Sequence, residues 1–170
     1  MTENQMRKIY VEKVTLNIGT GQAGMALENA KNLLKKITER TPVETLAKVR
    51  NPVFKIRKGD PIGAKVTLRK DLAKSVLTKA LKAKKNKLNS KMFDTFGNVS
   101  FGISEYIDYP GLKYDPRIGM LGFDISVTLT RPGRRINLKK RKKSRIGNAH
   151  RITAREAINF MKTEFGVEVD

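Results

Sequence analysis

The most tempting chemistry in the chain lies in one short run of glycines. Gly19-Thr-Gly21-Gln-Ala-Gly24 is a literal G-x-G-x-x-G, set between a predicted strand and a predicted helix, with Glu39 downstream. In a dinucleotide fold such glycines let backbone N–H groups approach a pyrophosphate at a helix N-terminus, and the later acid takes the ribose. Three features favour a plain glycine turn instead. A first strand of that fold is buried on both faces and nearly all apolar, whereas Thr15 and Asn17 give this one a polar face. Glu39 falls inside the predicted helix and not at the tip of a second strand. A chain of 170 residues also leaves no room for a six-stranded parallel sheet plus a substrate domain.

Other catalytic sets are missing. His150 is the only histidine and sits among cations, where it reads as one more ligand-facing group and not as a base. No carboxylate pair forms a recognisable motif, there is no cysteine, and metal-ligand spacings are absent. Asp60, Asp94, Asp108 and Asp115 adjoin glycine, proline or aromatic residues, so turn chemistry accounts for them. The expectation is a protein that is not an enzyme, with no catalytic residue, cofactor or metal.

Charge points the other way, to binding. Thirty-six Lys and Arg against 16 acids give a formal net charge of +20. A folded chain tolerates that self-repulsion best beside an anionic partner, and a polyphosphate backbone adds the release of condensed counterions. Membranes are the other anionic class. The longest run free of Lys, Arg, Asp and Glu is Val14 to Leu27, glycine-rich in its second half, so no spanning segment and no membrane partner are expected. The opening MTENQMRKIYVEK lacks the apolar stretch of a signal peptide, and zero cysteines suit a reducing cytosol.

The elements that would position binding residues follow from periodicity. Val14, Leu16 and Ile18 alternate with Thr15 and Asn17 at the end of a strand over 9–18. Leu27, Ala30, Leu33, Leu34 and Ile37 predict a helix over 24–40, closed by Thr41-Pro42. A short strand over 43–48 and another over 64–68 flank a stretch broken by Pro52, Gly59 and Pro61. That stretch, 49–63, reads as a long, exposed, mobile loop. Asp71 is expected to cap a helix over 71–84 with Leu72, Val76, Ala80 and Leu81 on its apolar stripe. From Lys79 to Lys91 six of thirteen residues are lysine and none is acidic. Strands are expected over 99–103, extending towards Ile107, and over 123–129. Thr153-Ala-Arg-Glu156 is a capping box for a last helix whose stripe is Ala157, Ile158, Met161 and Phe165. The sum is a single α+β domain over 1–170, with a mainly antiparallel sheet, helices on one face and binding residues on the other.

Two surfaces then stand out. Thr15, Asn17, Lys65, Thr67 and Arg69 line the open face of that sheet and suit phosphate, 2′-OH and minor-groove contacts with folded RNA. An ordinary solvated sheet face is the bland alternative. Phe101 and Phe123 sit among apolar neighbours and read as core, so RNA shape is recognised and bases are not stacked there. The second surface is the tract 131–151, with ten cations and no acid: Arg131, Arg134, Arg135, Lys139, Lys140, Arg141, Lys142, Lys143, Arg145 and Arg151, joined by His150. A disordered tail or a localisation-like patch are its bland readings. The capped helix beyond it argues instead for a tethered basic loop that orders on RNA.

Several segments together resemble the large-subunit ribosomal protein L-five family, the universal 5S-rRNA-binding proteins, in its archaeal–eukaryotic form. They are Lys13-Val-Thr-Leu-Asn-Ile-Gly19, Phe54-Lys-Ile-Arg-Lys-Gly-Asp-Pro-Ile-Gly-Ala-Lys-Val-Thr-Leu-Arg69, Gly97-Asn-Val-Ser-Phe-Gly-Ile103 with Glu105, and Gly122-Phe-Asp-Ile-Ser-Val127. Arg131-Pro-Gly133 and His150-Arg-Ile-Thr153 flank the basic tract. The resemblance covers nearly the whole chain. It implies a cytoplasmic ribosomal protein of the central protuberance that holds 5S rRNA against large-subunit rRNA, among neighbouring protuberance proteins. It places Asn17, Lys65, Thr67 and Arg69 on 5S rRNA, with Arg40 where the family carries a glutamine. It aims the 49–63 loop, with Arg50, Lys55, Arg57 and Lys58, at P-site tRNA, and adds a bridge to a small-subunit head protein. A charge-driven membrane or chromatin binder and a nucleotide-dependent oxidoreductase remain the competing classes. Co-purification of 5S rRNA under native conditions separates all three.

Overall fold

The computed structural model describes residues 4–170. One five-stranded sheet carries the architecture. Its strands are β1 (Tyr10–Gly19), β2 (Val43–Leu46), β3 (Pro61–Leu68), β5 (Val99–Ile103) and β6 (Phe123–Thr130), in the spatial order β2-β3-β1-β6-β5 and antiparallel throughout. A two-stranded parallel pair, β4 (Lys87–Leu88) with β7 (Glu168–Val169), ties the chain end back to the turn after the second helix.

Strict alternation sorts side chains between the two faces. Val14, Leu16, Ile18, Ala64, Val66, Leu68, Val99, Phe101, Ile103, Phe123, Ile125, Val127 and Leu129 are buried. On that side lie the helices α1 (Met25–Thr38), α2 (Lys70–Ala83) and α4 (Ala154–Phe165), whose inward faces (Leu27, Leu33, Leu34; Val76, Leu77, Leu81; Ala157, Met161) complete one contiguous core. The α+β fold, with its antiparallel sheet and one-sided helices, is as expected.

Several boundaries differ from those expected. The strand pairing of β1 with β6 slips between Val11 and Lys13, a bulge at Glu12 that buries both Val11 and Val14 while placing Glu12 and Lys13 together on the polar side. The first residue of α2 is Lys70 and its cap position is Arg69, so Asp71 lies in the first turn and does not cap. Leu72 is exposed, and the stripe instead runs through Ala73, Val76, Leu77, Ala80 and Leu81. The strand after Val99 stops at Ile103, and Tyr106–Asp108 forms a turn of 3-10 helix. The capping box is present: Thr153 Oγ1 accepts from Glu156 N at 3.4 Å, and Thr153 N donates to Glu156 Oε2 at 3.0 Å.

The segment expected as a long, exposed loop over 49–63 is exposed but shorter, and carries hydrogen bonds of its own. Pro61–Gly63 already belong to β3, where a Cβ on Gly63 would stand 2.6 Å from the Ile18 carbonyl across the pair. The rest is a tongue closed at its base by Ala47 N donating to Asp60 O and Gly59 N to Ala47 O, and again near its tip by the mutual pair Asn51 and Ile56. Aspartates serve turns here as the composition implied: Asp60 Oδ2 accepts from Arg57 N, Asp94 Oδ1 from Phe96 N and Asn98 N, and Asp115 Oδ1 from Arg117 N.

Candidate nucleic-acid interface

The open face of the sheet is a polar grid. Thr67, Thr15, Ser126 and Ser100 lie in register across four strands, and the next row holds Lys65, Asn17, Asp124 and Gly102. Lys13 and Thr128 begin a third row at the bulge. Lys65, Thr67, Ser126 and Ser100 are exposed, and Thr15 and Asn17 half-buried. Ser100 and Ser126 share a hydroxyl–hydroxyl bond of 3.2 Å. The β5 and β6 half of this grid was not singled out from sequence, although the Phe123–Leu129 alternation carries the signal. Asp124 is the one acid in these rows.

At the β2 edge the grid opens into a groove of about 630 Å³. The chain arrives there twice: once as it leaves α1, whose last turn ends with Glu39 in the left-handed conformation, and once as it leaves β3 for α2. Arg40, Lys65, Thr67 and Arg69 therefore converge on one groove, with the exposed Leu72 beside them. The fold thus brings Arg40 beside the Lys65, Thr67 and Arg69 series at the end of β3. A fixed set of cationic and hydroxyl donors on a rigid strand is suited to phosphate and 2′-OH oxygens.

The basic tract divides into two kinds of residue. Arg131 is buried, with its Nη2 2.7 Å from Glu156 Oε1 and longer contacts from Nη1 to the His150 and Arg151 carbonyls. Ten cations with no acid among them are expected to stay in solvent; Arg131 does not, because Glu156 and two carbonyls compensate the guanidinium. His150 is half-buried, its Nε2 2.8 Å from the Pro132 carbonyl. Arg131 and His150 thus anchor the start and end of the tract to the core. Arg134 lies 2.7 Å from Glu12 Oε2, and Arg69 lies 3.9 Å from the other oxygen, so the Glu12 bulge links tract and groove. Arg135 opens a single helical turn, α3 (Arg135–Leu138). Lys139, Lys140, Arg141, Lys142, Lys143, Arg145 and Arg151 are exposed and have no ion-pair partner among the described residues.

The glycine run offers no cradle for a pyrophosphate. The Thr20 and Gly21 N–H groups both donate to the Ile62 carbonyl, at 2.9 and 3.0 Å, and the strand before them is flanked by antiparallel neighbours. Two of the donors such a site requires are already bonded.

On the tongue, Arg50, Lys55, Arg57 and Lys58 are exposed. So are Val53 and Phe54 at the tip, at 84% and 69%. Lys55 adopts a left-handed conformation, at a φ of 55°, where the tip turns.

Comparison with known proteins decides the family. Residues 4–57 match the model for ribosomal protein L5, and residues 61–160 match the model for the C-terminus of the same ribosomal protein family. The chain belongs to the ribosomal protein L5 family. Among its relatives, the large ribosomal subunit protein uL5 of Nitrosopumilus maritimus is 48% identical, covering 99% of this chain and 97% of that one. The corresponding proteins of Sulfolobus acidocaldarius and Methanococcoides burtonii are 47% and 45% identical over 98% of this chain, with 94% and 99% of their own lengths covered. Membership in this family makes the chain a structural ribosomal protein of the large subunit and not an enzyme. The two matched segments meet within the tongue, yet both contribute strands to the one sheet. Among the described residues no helix is long and apolar enough to cross a membrane.

Proposed function

We propose that this protein binds 5S rRNA through the open sheet face and the adjoining groove, and helps fix it against large-subunit rRNA in the central protuberance of a cytoplasmic ribosome. The observation that carries this reading is the convergence of Arg40, Lys65, Thr67 and Arg69 on one groove beside Thr15 and Asn17. The relatives' place in the large subunit supports it, as does a net charge of +20. The residues facing outward are hydroxyls, amides and cations on a rigid sheet, the set that reads RNA shape and backbone.

Within the same reading, the exposed cations of the tract hold large-subunit rRNA, and the tongue reaches P-site tRNA through Arg50, Lys55, Arg57 and Lys58. A bridge to a small-subunit head protein and contacts with neighbouring protuberance proteins complete the set of partners. The whole chain of 170 residues acts as one RNA-binding domain. The test is native affinity purification of the tagged protein followed by sequencing of the bound RNA. Enrichment of 5S rRNA over bulk RNA is the expected result. Charge-proportional capture of every RNA present would reduce the protein to a non-specific polyanion binder.

A further inference from the structure

Where the basic tract folds back on the core it encloses a cavity of about 440 Å³, within the range of about 300–1,000 Å³ typical of small-molecule sites. Its floor is apolar, formed by Leu129 and Ile152, both buried. Its rim carries Arg134, Arg145 and Arg151. Asn98 and Asn137 supply amide groups, and Phe96 stands at the mouth, 60% exposed.

Two details bear on what this cavity can hold. Arg131 lines it, 8% exposed and held in place by Glu156 and the His150 and Arg151 carbonyls. Phe96, for its part, is presented on a rigid turn. Asp94 Oδ1 accepts from both Phe96 N and Asn98 N, and Asp94 Oδ2 accepts from Asn98 Nδ2. Gly97 completes the turn at a φ of +76°, pressed so closely on Ile152 that a Cβ there would stand 2.6 Å from Ile152 Cγ2. An exposed aromatic ring on a turn held by three hydrogen bonds has little conformational entropy left to lose on stacking.

We propose that this cavity takes one unpaired nucleotide of RNA, its base stacked on Phe96 over the Leu129–Ile152 floor. The phosphates on either side of it meet Arg145 and Arg151. An apolar slot with an aromatic lid and amide donors fits a splayed-out base, and the cations at its rim fit the backbone that delivers it. A bare phosphate would leave the ring and the apolar floor unused. Arg134, already paired to Glu12, joins this site through that carboxylate to Arg69 and the groove. The inference rests on the protein being an RNA binder and adds a mode, base stacking, that the sheet face lacks.

The probe is a hairpin RNA carrying a single bulged adenine in its stem, compared with the same hairpin fully paired; stacking tolerates any base, so the surrounding sequence is immaterial. Full-length protein should bind the bulged RNA about tenfold more tightly, and should protect the bulged adenine from dimethyl sulfate. Phe96→Ala should abolish both effects while leaving the paired hairpin's affinity and salt dependence unchanged, and Phe96→Tyr should preserve them. Phe96→Leu, which keeps apolar bulk without the ring, should behave as the alanine variant and guards against a folding defect. Equal affinity for the two hairpins, or a preference that survives Phe96→Ala, would overturn the pocket and leave RNA binding standing. Binding of neither hairpin would overturn the pocket, while the 5S rRNA reading stands or falls on the native purification above.

Discussion

At Arg131 a guanidinium that opens a run of ten cations faces the core, and the carboxylate of Glu156 both receives it and closes the cap of α4. Glu156 is held below the ordinary glutamate range first by the Thr153 backbone N–H and then by Arg131. A depressed folded-state value contributes stability that is present above the unfolded value of about 4.3 and is lost as pH falls through the folded one. Glu156→Gln should therefore melt below the parent protein at neutral pH, with the gap closing as the pH drops below about 4. A gap that stayed constant from neutral pH to about pH 3 would show that the charge is irrelevant there. Tyr109 poses the opposite case. Its ring packs edge-on to Phe123 with centroids 6.1 Å apart, while its buried hydroxyl has no partner and burial pushes the phenol up to about 12. Tyr109→Phe keeps the ring and removes the unsatisfied group, so urea denaturation should show it equal to the parent or more stable by about 1 kcal/mol. A loss of that size would mean that the hydroxyl has a partner in solution.

The sheet face separates folding from binding, because alternation sends its two sets of side chains to opposite sides. Arg69→Ala should weaken 5S rRNA binding by about 1–3 kcal/mol and leave the melting temperature nearly unchanged, since Arg69 is itself exposed, its contact with Glu12 is long, and Glu12 keeps Arg134. Asp124→Asn should do the reverse to affinity: removing the one acid from the rows beside Asn17 and Gly102 relieves repulsion with phosphate. Filter binding and thermal melting of both variants check the pair, and an Arg69→Ala protein that binds normally or fails to fold would remove that residue from the interface. Much of this element was legible in the chain. Val14 to Ile18, Ala64 to Leu68 and Phe123 to Leu129 each state which residues face the core, and Thr153 with Glu156 states where the last helix begins. What local pattern does not carry is anything set by a partner strand. The bulge at Glu12 depends on the register against β6, the closure of the tongue on pairs between Ala47 and Asp60, and the exposure of Leu72 on α2 beginning at Lys70. Arg131 misleads for the same reason, as its compensating acid lies twenty-five residues away.

For the molecule as a whole, the question is how a net charge of +20 is divided between fold and ligand. Arg131 and His150 tie both ends of the tract to the core, while Lys139, Lys140, Arg141, Lys142, Lys143 and Arg145 project with no acid among them. Such a tether raises the concentration of positive charge beside any RNA that the sheet has already bound, without adding to the core. Replacing residues 139–145 by a neutral linker therefore touches binding and spares folding. If about half of those six cations meet phosphates, the slope of log affinity against log salt should flatten by roughly 2–4. The melting temperature should hold or rise, because like-charge repulsion in the free protein falls. Extending the replacement to Arg131 should instead lower the melting temperature, since the buried guanidinium and its bonds to Glu156 and the His150 and Arg151 carbonyls are lost. The comparison belongs on 5S rRNA and on a large-subunit rRNA fragment, each titrated with salt. A flattening confined to the large-subunit fragment would assign the tract to that RNA and the sheet to 5S rRNA. Unchanged slopes on both would show that the projecting cations are solvated charge, and that the groove at Arg40, Lys65, Thr67 and Arg69 binds without them.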